Sequence, residues 1–277
     1  MNSSTIQNSK FVEKFTIIAA KLGNEIHLRS LRDAFSTLMP LYILAGCAVL
    51  VNNTIFSWFL EGDTLKNAQY WGTLLTNATL NINALLVAPV IGYFLSQNKG
   101  FHNPLAASII SLSSLIIMMP NFIEVTPLNS KELITVSGIL SFNEIGTQGM
   151  FAGVIMGLIA TELFIWISNL KKLQINLGDN IPPAVSKSFN VLIPIILLMS
   201  FLALISAILF NVFNTNLISL ITSLIQEPLR LISTSLIGCI ILYSLGNFLW
   251  ILGIHQSVIY GSLLGPLLLI NITQNMA

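Results

Sequence analysis

The chain has 277 residues and a formal net charge of +1; 8% of it is Asp, Glu, Lys or Arg, and 54% is hydrophobic. A soluble domain carries roughly 25% charged residues, so a soluble fold of this size is excluded. The apolar excess rules out disorder, and the balanced charge offers no field for nucleic acid. With a mean hydropathy of +0.82, the sequence reads as an all-α polytopic membrane protein.

In chain order, Phe11, Phe15, Ile18 and Leu22 recur at helical spacing, with Lys10, Lys14 and Lys21 on the remaining surface. That pattern fits an amphipathic helix lying on the cytoplasmic membrane face, or a solvated cytosolic helix. Gly23 is placed to stop it and Asn24 to cap the next helix. Glu13 and the lysines interrupt any signal-peptide core. Uncharged runs then cover 34–60, 67–98, 100–123, 145–161, 188–226 and 231–277. A span needs about 20 apolar residues, which predicts about six transmembrane helices near 35–56, 74–95, 105–122, 149–168, 189–212 and 232–253. Residues 257–270 form a partial seventh span or a re-entrant segment.

Two connections are not simple spans. Two β-rich runs, 133–137 and 139–142, are split by Gly138 and predict a small extracellular β-hairpin within 131–143. Leu217, Leu220, Ile221, Leu224 and Ile225 predict a helix in the outer interface, with Glu227 and Arg230 as an i,i+3 pair. Lys10, Lys14, Lys21, Arg29, Arg32, Lys99, Lys171, Lys172 and Lys187 all fall on one side, against Lys66, Lys131 and Arg230 on the other. Nine against three places the N-terminus in the cytoplasm.

An ionisable residue within a span is a functional candidate by default. His255 closes the stretch Gly246-Asn247-Phe248-Leu249-Trp250-Ile251-Leu252-Gly253-Ile254-His255, at the junction of two apolar segments. A flat aromatic such as Trp250 beside a donor–acceptor imidazole suits a carbohydrate; the same pair also reads as an interfacial histidine beside an anchoring tryptophan. Glu162, near the cytoplasmic end of the fourth span, faces a cavity or reaches the interface. Glu144, with Asn143 and Gln148, reads as a solvated loop residue. Cys47 and Cys239 are packing residues in separate apolar runs, and no metal cluster, phosphate loop or nucleophile–base pattern is visible.

Phe11-Val12-Glu13-Lys14-Phe15, Leu28-Arg29-Ser30-Leu31-Arg32-Asp33-Ala34-Phe35 and Leu38-Met39-Pro40-Leu41 resemble the N-terminus of the enzyme IIC permeases. These belong to the lactose/cellobiose (diacetylchitobiose) group of the bacterial phosphoenolpyruvate-dependent sugar phosphotransferase system. Asn247 to His255 is similar to that family's sugar-site motif, W-x-x-G-I-H. The resemblance implies a homodimeric, multi-pass permease of the bacterial plasma membrane, without a cofactor. Residues 1–33 would form the cytoplasmic or interfacial segment and 34–277 a partial enzyme IIC domain. A disaccharide, cellobiose or another β-glucoside favoured, would bind at His255, Trp250 and Asn247. A cytoplasmic enzyme IIB, charged by IIA, would phosphorylate it on arrival. His255 would hold the accepting hydroxyl and Trp250 the ring, with no catalytic residue on this chain.

Family members are longer and carry Asn-Glu-Pro after the histidine, whereas Gln226-Glu227-Pro228 here precedes it. The resemblance therefore implies a permease shortened in its second half. The competing readings are a non-transporting, dimerising membrane remnant and an ion-coupled secondary transporter; the latter predicts an internal repeat that the sequence does not show.

Overall fold

The computed structural model describes residues 24–120, 122–127, 132–175, 189–228 and 235–251, together with Ile17, Leu231, Leu268 and Leu269. α1 runs from Ile26 to Leu50 and continues through a π turn at Val51–Ile55 into a last turn, Phe56–Phe59. α2, Gly62–Asn77, returns alongside α1; a 3-10 turn at Leu80–Ile82 leads into α3, Asn83–Asn98. α4 is Pro104–Ile117, α5 is Met150–Ser168, α6 is Leu192–Phe213 and α7 is Leu236–Ile251.

Among the described residues, the helical runs 26–59, 62–98, 150–168 and 192–213 are long and apolar enough to cross a membrane. α4 and α7, with 14 and 16 residues, are shorter apolar helices in the same series. The all-α polytopic architecture expected from hydropathy is therefore the one observed. The segment 257–270 falls outside the described residues apart from Leu268 and Leu269, and the 11–22 helix apart from Ile17.

α3, α4 and α5 form the centre, with α1 against α3 and α6 against α4 and α5. Lipid is as apolar as a leucine side chain, so helices in a bilayer gain by close van der Waals approach, which small residues permit. A Cβ added at Gly153 would fall 2.8 Å from the Ala84 carbonyl oxygen, and one at Gly157 would fall 2.9 Å from the Ile91 Cβ. Around these glycines, Ala84, Ala88, Ala107, Ser111, Ala160 and Thr161 are almost fully buried. α1 adds Leu31, Ala34, Phe35 and Leu38 at helical spacing, the stripe that faces α3.

The local chemistry sets the boundaries and corrects several expectations. Glu25, not Asn24, caps α1: its Oε2 accepts the Leu28 N–H at 2.8 Å. Gly100, at φ +68°, turns the chain out of α3, and Asn103 caps α4 by accepting the Ala106 N–H at 3.2 Å. The span expected at 74–95 is divided between the end of α2, Gly62–Asn77, and α3, Asn83–Asn98, with a break at 78–82; the polar first half of α2 is invisible to a hydropathy window. The expected small sheet is present, but Ile134–Ser137 pairs antiparallel with Phe122–Val125 rather than with 139–142. Gly138 at φ +74° ends that strand, and Ser141 caps a single helical turn, Phe142–Ile145. After α6, Asn214 takes the left-handed conformation at φ 49° and Asn216 caps Leu217–Ile221, followed by a π turn to Gln226. Arg230, the expected partner of Glu227, lies outside the described residues.

Candidate functional site

Helix alternation brings the first turn of α1, the last turns of α3 and α5 and the first turn of α4 to one end of the molecule. Four ionisable groups meet there. Glu25 Oε1 is 2.5 Å from His27 Nδ1, and His27 Nε2 is 2.6 Å from Glu162 Oε1. The other oxygen of Glu162 accepts from Lys99 Nζ at 2.5 Å. Beside them, Asn98 Nδ2 donates to Ser30 Oγ at 2.9 Å, and Ser30 Oγ donates to the Ile26 carbonyl. Burial alone would raise the Glu25 carboxyl; the hydrogen bonds from His27 and from the Leu28 N–H outweigh it and hold the group below its ordinary value. Glu162, its side chain 31% exposed, thus joins three helices.

Some 41 positions beyond its partner in sequence, the buried Asn83 receives the Tyr42 hydroxyl at 2.7 Å and turns its amide toward Met150 Sδ at 2.9 Å. This polar contact joins α1, α3 and α5 at the opposite end of α3. Near the hairpin, a cavity of about 350 Å³ opens between the ends of α4 and α6, lined by Met119, Pro120, Ser206, Phe210, Asn211, Thr215 and Asn216 among others. Phe210 lies tilted against Phe122 at 5.9 Å. Glu144, expected in solvent, is half-buried on the single turn at 142–145, and burial pushes its carboxyl up.

Of the three residues expected to hold sugar, Asn247 is exposed on α7. Position 250 lies one turn further along the same helix, and His255 is outside the described residues. No group of three His, Cys, Asp or Glu suited to a metal occurs among the described residues.

Sequence reasoning weighed Glu162 and passed over His27 and Lys99 as its partners. The signal was available: Glu162 is the sole charged residue of α5, so it needs a counter-charge at its own depth. Residues 27 and 99 sit where α1 enters and α3 leaves on that side.

The sequence profile of the family "Phosphotransferase system, EIIC" matches residues 32–277. The PTS system cellobiose-specific EIIC component of Geobacillus stearothermophilus is 29% identical over 265 residues, covering 93% of this chain and 57% of that protein. The PTS system oligo-beta-mannoside-specific EIIC component of Bacillus subtilis is 29% identical over 251 residues, covering 90% and 55%. Among solved structures, that of the transporter ChbC, the IIC component from the N,N'-diacetylchitobiose-specific phosphotransferase system, matches with a TM-score of 0.82 and 29% identity, covering 93% of this chain and 60% of that one. The chain spans little more than half the length of these curated relatives.

Proposed function

Because this chain belongs to the phosphotransferase system EIIC family, we propose that it serves as the membrane component through which a β-linked disaccharide of the cellobiose type enters and is presented for phosphorylation. The observation that carries this reading is the family match over residues 32–277, supported by the ChbC-like fold at a TM-score of 0.82. In this reading the protein works as a homodimer with its N-terminus in the cytoplasm. A cytoplasmic IIB, recharged by IIA, supplies the phosphoryl group. The relatives named for cellobiose and for oligo-β-mannosides support a β-linked substrate.

His255, Trp250 and Asn247 are the proposed sugar contacts. Phosphoryl transfer asks the membrane component chiefly for positioning, holding the acceptor oxygen in line with the donor. An imidazole that hydrogen-bonds the acceptor hydroxyl and an indole that stacks on the sugar ring supply that.

The test is phosphoenolpyruvate-dependent phosphorylation of cellobiose by inverted membrane vesicles carrying this chain, supplied with the soluble phosphotransferase components. Phosphorylation is expected with the native chain and is lost in His255→Ala at unchanged membrane insertion. Uptake independent of phosphoenolpyruvate would overturn the functional reading. Full phosphorylation by His255→Ala would overturn the site.

A further inference from the structure

The cluster at the first turn of α1 includes none of the proposed sugar contacts and has a chemistry of its own. A neutral imidazole carries one N–H and one lone pair. Both ring nitrogens of His27 nevertheless lie at hydrogen-bonding distance from carboxylate oxygens, 2.5 Å from Glu25 and 2.6 Å from Glu162. Between two ionised carboxylates a neutral ring would set its lone pair against one of those oxygens, so there the two contacts coexist only when the ring carries its second proton. Lys99 occupies the remaining oxygen of Glu162, and with His27 protonated the four groups sum to zero charge.

We infer that His27 is a proton-binding site at the start of α1 that bridges Glu25 to Glu162 of α5 while the imidazole is doubly protonated, and that it gives up one of those two contacts when it loses a proton. The His27 side chain is 41% exposed and that of Glu162 31%, so water reaches the site and protons exchange with the adjoining solution.

Among the described residues, the charges on the elements around the cluster are these. On α1, Arg32 pairs with Asp33 at 2.8 Å and Arg29 approaches Asp33 at 3.9 Å. α3 offers Lys99, and the α3–α4 turn offers His102, whose ring lies against Phe101 at 4.5 Å. α5 offers Glu162, and Lys171 and Lys172 follow beyond its end. Deprotonation leaves Lys99 on Glu162 and Asn98 on Ser30, while the neutral ring keeps a single N–H and holds only one of its two carboxylates.

The experiment is a pH titration of the full chain in lipid nanodiscs with ¹⁵N-labelled imidazoles, followed by nitrogen NMR, with His27→Gln to assign the signal. Both nitrogens of His27 are expected to be protonated at neutral pH. Glu162→Gln is expected to lower the proton affinity about tenfold, a midpoint about one pH unit lower, and Lys99→Gln to raise it. Above the midpoint the Leu28 amide, capped by Glu25, is expected to exchange faster than its intrinsic rate change explains. A single-N–H tautomer at neutral pH, or a midpoint unmoved by Glu162→Gln, overturns the inference. Should Glu162→Gln fail to fold, Glu25→Gln reads the other contact by the same shift. The sugar phosphorylation assay enters none of these outcomes.

Discussion

Asn52 in the π turn of α1 and Gln69 on α2 each donate a side-chain hydrogen bond to the other's backbone carbonyl, at 2.7 and 3.0 Å. Asn52 is 8% exposed, and its Oδ1, without a hydrogen bond, rests on Gly72, where an added Cβ would come within 2.3 Å. Gly72→Ala therefore displaces the amide and breaks the exchange. The expected loss is about 1–2 kcal/mol, the scale of one or two interhelical hydrogen bonds. Combined with Asn52→Ala, the cost should be less than the sum, because the clash and the clamp are one feature. Strictly additive thermal midpoints in detergent would count against it.

The α3–α5 contact gives a second expectation. Gly153→Ala places a methyl against the Ala84 backbone rather than against a movable side chain, so the helices must part; the expected cost is about 1–3 kcal/mol. Gly46 has no neighbour within 4 Å of its missing Cβ, so Gly46→Ala should leave the midpoint unchanged or raise it slightly. Equal effects at the two positions would contradict the packing described.

Glu25 makes stability depend on acid. Its carboxyl is held below the ordinary value of 4.5, so its contribution is complete above that value and disappears as pH falls through the lowered one. Thermal midpoints followed from about pH 6 to about pH 3 should fall for the native chain and fall less steeply for Glu25→Gln. Parallel curves would remove Glu25 from the account.

Orientation is testable with described, exposed positions. Lys172 follows the end of α5, and Lys66 lies in the first turn of α2, its side chain 79% exposed. With the N-terminus inside, an impermeant thiol reagent applied to whole cells should label Lys66→Cys and spare Lys172→Cys. The reverse pattern would invert the proposed topology.

Hydropathy made the helices legible because burying charge in lipid is costly and the charges here are few. α5 and α6 were expected at 149–168 and 189–212 and stand at 150–168 and 192–213. Reading failed where a helix is polar or where partners are distant. The first half of α2 is polar and largely exposed, with Gln69 alone exchanging hydrogen bonds with Asn52 of the α1 run, so it shows no apolar window. The strand 134–137 finds its partner at 122–125, across residues that carry no pairing signal in the sequence. The ionic cluster was half-legible: Glu162 stands out in an apolar helix, while His27 and Lys99 look like ordinary helix-end residues until the fold sets them at the same depth.

The length of α1 has a geometric consequence. The run 26–59 has 34 residues, about 51 Å at 1.5 Å per residue, whereas a bilayer's hydrocarbon is about 30 Å thick. Tyr42, 16 residues into the run, already meets Asn83 at the start of α3, so most of α1 beyond it, and α2 beside it, rise past the top of the central bundle. Glu61, Asp63 and Lys66, all exposed, lie on this part of the pair, so the three charges stand without burial. Trp58, Phe59, Tyr70 and Trp71, all exposed, are carried up with them. The far end of the α1–α2 pair is thus aromatic, with Phe56 edge-on to Trp71 at 6.4 Å, where the opposite end of α1 is ionic.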